Sequence, residues 1–232
     1  EFQTFLSEKS NCSVLQNKDC EADDMIARWI QLHPEDKHVI VSSDSDFFQL
    51  ISDNVQIYNG ITDTTITKEG YYDGKGKLSI DKKTGQPKEA PNPRWLLFEK
   101  CMRGDTSDNI FSAYPGVRKK GTKNKVGLLE AFDDRNKQGY NWNNLMLQRW
   151  TDHDGEEHRV LDDYERNRKL IDLSEQPEWI KTAMDETITK VVQKDKIPQV
   201  GIHFMKFCGK YNLDRVGRQV QDHALYLNAG YN

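Results

Sequence analysis

Three short acidic clusters, well separated along the chain, place the strongest constraint on how it folds. Glu21, Asp23 and Asp24 stand in E-A-D-D, Asp44 and Asp46 in S-S-D-S-D-F, and Asp105 and Asp108 in R-G-D-T-S-D-N. Carboxylates repel one another, so a fold that gathers this many normally does so around divalent cations. No His or Cys accompanies them, which favours Mg²⁺ or Mn²⁺ over zinc or copper.

The spacing within each cluster allows a shared face. Asp44 and Asp46, two apart on an extended backbone, point to the same side. Glu21 and Asp24 are neighbours on a helix, as are Asp105 and Asp108. Three such pairs supply two metal sites, and two ions about 3.5–4 Å apart serve in-line phosphodiester displacement. Each cluster alone also fits a plainer role. Asp23 and Asp24 can cap a helix, Asp44 and Asp46 can sit in a turn, and Asp105 to Asn109 can form an Asx loop. All three in this order, with a basic turn following, favour the metal.

That turn is Y-P-G-V-R-K-K-G-T-K-N-K-V, in which Arg118, Lys119, Lys120, Lys123 and Lys125 are unopposed by any acid. Gly116 and Gly121 bracket Val117 to Lys120, and Lys123 and Lys125 are expected to begin the next helix. Small residues let backbone N–H groups approach phosphate oxygens, and a helix N-terminus adds positive potential. Such contacts hold a duplex without reading its sequence. A solvated basic loop is the plainer alternative. An acidic metal nest beside a phosphate-holding turn reads as a nuclease. Trp142, Trp150 and Trp179 are assigned to packing.

The pattern predicts helices from Phe2, over Ala22 to Leu32 and from Phe47, and a short strand at Ser13 to Gln16. Val39 to Val41 reads as a strand buried on both faces in a parallel sheet, and Val55 to Tyr58 as another. Asp44 and Asp46 then fall at the carboxyl end of a strand, where α/β sheets place their sites. Residues 60–92 read as a β-hairpin excursion. Pro93 opens a helix, and the rest reads as helical: 123–132, 142–150, 162–170, 178–192 and 200–211.

Among 232 residues, 30% are charged and 36% hydrophobic, and the net charge is −4. A chain this long buries a real core. Its acidity overall is compatible with nucleic acid when the basic charge is focused on one face. Cys12, Cys20, Cys101 and Cys208 show no metal-ligand spacing and read as free thiols in a reducing, cytoplasmic compartment. No apolar run is long enough to span a bilayer.

In their order, E-A-D-D, S-S-D-S-D-F, G-D-T-S-D-N-I and P-G-V-x-x-K-G-T resemble the motifs of the flap endonuclease/5′-nuclease superfamily. Within it, the stretch D-D-Y-E-R-N-R-K-L-I-D-L around Tyr164 and Asn167, and the late G-I-H-F-M-K-F, are most similar to the ribonuclease H branch of T-even-like bacteriophages. The resemblance implies a PIN-like parallel-sheet α/β catalytic domain, N-terminally incomplete, over residues 1–93. A mainly helical region would follow over 94–232, with a helix–two-turn–helix DNA-binding motif near 94–133.

It also implies a 5′→3′ exonuclease or flap endonuclease with two Mg²⁺ ions, Mn²⁺ being a substitute. Substrates would be RNA–DNA hybrid or branched and forked DNA, as in primer and flap removal during replication. Carried over by motif, Glu21, Asp23, Asp44 and Asp46 serve the catalytic metal, while Asp24, Asp105 and Asp108 match the more distant metal or its water shell. Gly116, Val117 and Gly121 match the helix–two-turn–helix loop, which in some relatives holds a monovalent cation. Partners would be a single-strand-binding protein or clamp, the chain a monomer, and the setting a host cytoplasm for a phage-encoded enzyme. Relatives carry an upstream strand with a further Asp, a second upstream Asp and a helical arch, so the expectation is a chain lacking its N-terminal segment. Phe111 to Tyr114 also intervene where relatives run from D-N-I into P-G-V. A non-catalytic nucleic-acid-binding fragment is the alternative, and a toxin-type PIN ribonuclease a third.

Overall fold

The computed structural model describes residues 1–231. In chain order its elements begin with α1 (Phe2–Lys9), α2 (Ala22–Leu32), β1 (His38–Val41), β2 (Val55–Asn59), β3 (Thr64–Thr67) and β4 (Gly70–Asp73). There follow α3 (Pro93–Arg103), α4 (Leu128–Asp134), α5 (Tyr140–Met146), β5 (Arg149–Thr151), β6 (Glu157–Arg159) and α6 (Val160–Ile171). The last four are α7 (Glu178–Val192), α8 (Val200–Lys210), α9 (Asp214–Gly217) and α10 (Val220–Ala229). A 3₁₀ helix, Ser45–Leu50, joins β1 to β2.

The chain forms two compact units, one of Ile30–Gln176 and one of Glu1–Trp29 with Pro177–Asn232. This differs from the 1–93 and 94–232 division expected above, because the first segment packs on the last. Phe5 of α1 is buried against Phe204 and Cys208 of α8. Met25 of α2 is buried against Met184 and Ile188 of α7. Arg28 clamps Asp185 through two hydrogen bonds of 2.6 and 2.7 Å, the bidentate geometry that makes guanidinium–carboxylate pairs strong. Residues 13–16 form no strand; Leu15 packs in the α2–α7 cluster instead. Trp179, assigned to packing, is 64% exposed.

In the Ile30–Gln176 unit a four-stranded sheet runs in the order β1-β2-β3-β4. β1 and β2 are parallel, with His38 opposite Val55 and Val41 opposite Tyr58. β2–β3 and β3–β4 are antiparallel. The fold is therefore mixed α/β with a parallel pair, as expected, and the hairpin excursion is β3–β4. One reading fails: Ile40 is buried, but Val39 and Val41 are 53% and 72% exposed. β1 lies at one end of the strand order, and its alternate side chains face out.

The second core of this unit gathers on α3. Asn92 caps it, accepting from the Trp95 N–H at 3.1 Å, with Pro93 in the first turn. Its Trp95, Phe98 and Met102 pack with Leu128, Phe132, Leu145 and Val160 from α4, α5 and α6. Helix α4 starts at Leu128, later than the expected 123, because Thr122 and Lys125 pair across a tight turn first. Helix α5 ends at Met146, and Trp150 lies in the antiparallel β5–β6 ribbon that interrupts the expected helical region.

Candidate metal centre and nucleic-acid interface

The turn after β1 carries the second acidic cluster. Asp44 caps the 3₁₀ helix, its side chain accepting from the Asp46 N–H at 2.9 Å. The two carboxylates therefore do not share a face of an extended strand. Asp46, in the first turn of that helix, comes instead to the third cluster: ligand oxygens of Asp46, Asp105 and Asp108 all lie within 4.8 Å of one another.

Asp105 is held by a small folded loop. Its N–H and carbonyl both bond Ile110 at 2.8 Å, and its carboxylate accepts from the Ser107 N–H at 2.9 Å and from the Ser107 hydroxyl. Gly104 makes the loop possible. Its φ is +74°, and a Cβ there would lie 2.2 Å from the Ile110 carbonyl oxygen.

Sequence reasoning missed the cation of this site. Lys100 of α3 sits between two of the carboxylates, 2.6 Å from Asp105 and in direct hydrogen bond with Asp46. Hydrogen bonds from Lys100 and then Ser107 hold the Asp105 carboxyl far below the usual range. Burial works against the Lys100 ammonium, but its bonds to Asp105 and Asp46 outweigh that and raise it. The signal in the sequence was a lysine five residues before Asp105 on a predicted helix.

Asn167 braces the same loop from α6. Fully buried, it donates to the carbonyls of Cys101 at 2.9 Å and Phe111 at 2.7 Å.

The first cluster belongs to the Glu1–Trp29 segment. Asp23 and Asp24 fall in the first turn of α2, and the Asp24 carboxylate accepts the Glu21 N–H at 3.1 Å. Glu21 thus precedes the helix, and Asp24 is at least in part a cap.

The basic residues occupy the loop between α3 and α4. Lys123 and Lys125 are in the turn, outside the helix where they were expected. Glu130 fastens the loop, accepting from Gly121 N–H at 2.9 Å and Gly127 N–H at 3.0 Å. The first N–H groups of α4, on Leu128 and Leu129, bond the carbonyls of Arg118 and Lys119 at 3.0 and 2.9 Å. The expected role of that helix end in holding phosphate is therefore taken by the protein's own carbonyls, and the loop offers side-chain charge. Gly121 is sterically fixed, since a Cβ would lie 2.5 Å from the Lys125 carbonyl oxygen. Gly116 has φ +74° and open space around it.

A second polar group lies on the β5–β6 ribbon. Ligand atoms of Asp152, Glu156 and His158 also fall within 4.8 Å of one another. Here the imidazole stands between two carboxylates: His158 faces Asp152 at 3.3 Å through Nε2 and Asp163 at 3.1 Å through Nδ1. Trp150 stacks on its ring at 4.4 Å.

Residues 3–76 match the family model of the 5′-3′ exonuclease N-terminal, resolvase-like domain. A DNA polymerase I of Rhizobium leguminosarum is 32% identical over 126 residues, which is 53% of this chain and 11% of that protein. A 5′-3′ exonuclease of Buchnera aphidicola subsp. Schizaphis graminum is 35% identical over 117 residues, 49% of this chain and 34% of the relative. A 5′-3′ exonuclease of Aquifex aeolicus is 30% identical over 125 residues, 53% and 37% respectively. The chain thus spans little more than a third of these exonucleases. Among solved structures, the T5 D15 protein co-crystallized with metal ions is 16% identical, with a TM-score of 0.45 over 76% of this chain and 61% of that one.

Residues 3–76 thus match a 5′-3′ exonuclease N-terminal domain, and about half of the chain is similar to 5′-3′ exonucleases and to DNA polymerase I. No helix among the described residues is long and apolar enough to cross a membrane.

Proposed function

We propose that the chain acts as a Mg²⁺-dependent 5′→3′ nuclease on branched DNA or RNA–DNA hybrid, in primer or flap removal during replication in the cytoplasm. The observation that carries this reading is the convergence of Asp46, Asp105 and Asp108 within 4.8 Å. Their donor set is oxygen alone, which suits a hard divalent ion. Lys100 already supplies one positive charge between them, as crowded carboxylates require.

In this reading Asp46, Asp105 and Asp108 hold the ion, with Asp44 as a further acidic ligand or water-shell group. Such an ion polarises a water and stabilises the leaving oxygen of a displaced phosphodiester. Arg118, Lys119, Lys120, Lys123 and Lys125 neutralise backbone phosphates next to the site.

The experiment is cleavage of a 5′-flap DNA and of an RNA–DNA hybrid with millimolar Mg²⁺, beside Asp46→Asn and Asp105→Asn. Loss of cleavage with retained binding in both variants is expected. Binding of forked DNA with no cleavage in any divalent ion would leave a nucleic-acid-binding module in its place.

A further inference from the structure

A cleft of about 340 Å³ opens beside the carboxylates, between the 3₁₀ helix, α3 and the end of α6. That volume is at the lower end of small-ligand pockets, which run from roughly 300 to 1,000 Å³. Its apolar lining comes from Phe48, Leu96, Leu97 and Ile171. Its ionic lining consists of two pairs, Asp46 with Lys100 and Glu99 with Arg103.

The cleft follows from the two faces of α3. Trp95, Phe98 and Met102 turn into the core. Leu97, Lys100 and Gly104 recur at helical spacing on the other face and line the opening. The side chain of Gln49 fixes its width. It donates to the Ile171 carbonyl at 3.1 Å and accepts the Leu173 N–H at 3.0 Å, tying the 3₁₀ helix to the end of α6. The pocket is therefore formed before any ligand arrives.

We propose that this cleft takes one nucleobase of the substrate strand, next to the phosphate presented to Asp46 and Asp105; the inference rests on the nuclease reading above. A nucleobase has apolar faces and a phosphate on either side. The apolar lining matches the first; Arg103, paired with Glu99 yet partly exposed at the rim, faces the second, while Lys100 stays bonded to Asp46 and Asp105. A bare ion or free phosphate has no use for four apolar side chains. Arg103 is held at the rim by Glu99 at 3.1 Å and by the Val117 carbonyl at 3.4 Å, so its guanidinium is already placed.

The test uses the whole chain and a forked DNA carrying 2-aminopurine, moved one nucleotide at a time through the junction, without divalent ion. Affinity is read separately by anisotropy of a distal dye. At one position the parent changes the 2-aminopurine emission, and an abasic nucleotide there weakens binding about fivefold or more. Leu97→Glu abolishes the emission change and is indifferent to the abasic nucleotide; Leu97→Met retains both effects. Leu97→Ala, a milder truncation, covers the case in which the charged variant fails to fold, with melting curves as the control. Binding with no emission change at any position, or an emission change untouched by Leu97→Glu in a folded variant, overturns the base pocket and leaves the nuclease reading standing. A parent that binds no forked DNA sinks both.

Discussion

The side-chain amide of Asn167 donates to the main-chain carbonyl of Phe111 at 2.7 Å, and so fixes the far end of the loop that carries Asp105 and Asp108. Its second bond, to Cys101, ties that loop to α3. Replacing it by Ala leaves two carbonyls without their donor, at a cost of roughly 2–4 kcal/mol. Asn167→Ala is expected to melt correspondingly earlier and to gain less stability from Mg²⁺. A variant within about 0.5 kcal/mol of the parent would show that the loop does not depend on α6.

Lys100 is the internal counter-ion of the acidic site. Without it, Asp46 and Asp105 face each other unscreened, so Lys100→Met should lower metal-free stability by roughly 1–3 kcal/mol. Mg²⁺ should then restore more stability to the variant than to the parent, since binding to the folded state stabilises by mass action. Melts with and without millimolar Mg²⁺ decide it. No shift in either protein argues that the carboxylates hold no ion, and an equal shift in both that Lys100 does not compete with it.

Much of this fold could be read from sequence where local signals agreed. Helices α2, α3 and α7 carry caps, a leading Pro or clear apolar spacing, and they appear where expected. The exposed face of β1 could not be read, because Val39-Ile40-Val41 is equally apolar in a covered strand and in one at the sheet's end. The β5–β6 ribbon was hidden by its short, polar strands, although D-H-D-G between them is a turn signal. Of the seven clustered carboxylates, the structure gathers Asp46, Asp105 and Asp108. Lys100 and Asn167 were not read as site residues, since their roles depend on which elements pack together. Glu130 was missed too, although its place three residues after Gly127 is a capping-box spacing.

His158 makes the β5–β6 ribbon sensitive to pH. The hydrogen bond to Asp152 raises its pKa, burial opposes, and the nearby Asp163 adds to the rise. A raised folded value means the contribution is full below the unfolded value of about 6.5 and is lost as pH climbs through the folded one. The parent should therefore lose melting temperature relative to His158→Gln between pH 6 and 9. Trp150 stacks on this ring and bonds the Ala113 carbonyl at 3.0 Å, so its fluorescence should titrate in step. Parallel pH profiles for parent and variant would rule out the bridge.

The basic loop gives the last expectation. Glu130 holds Gly121 and Gly127, and the α4 N–H groups are occupied by Arg118 and Lys119 carbonyls. What the loop can offer phosphate is thus the charge of its side chains. Replacing Lys119, Lys120 and Lys123 together by Ala should weaken duplex binding about equally for all sequences. It should also reduce the salt slope by about one for each phosphate that is no longer neutralised. Glu130→Gln keeps every positive charge but weakens the anchor, so it should alter affinity with little change in slope. Were the triple variant to match the parent in both affinity and salt dependence, the charges would be solvated and the duplex would lie elsewhere.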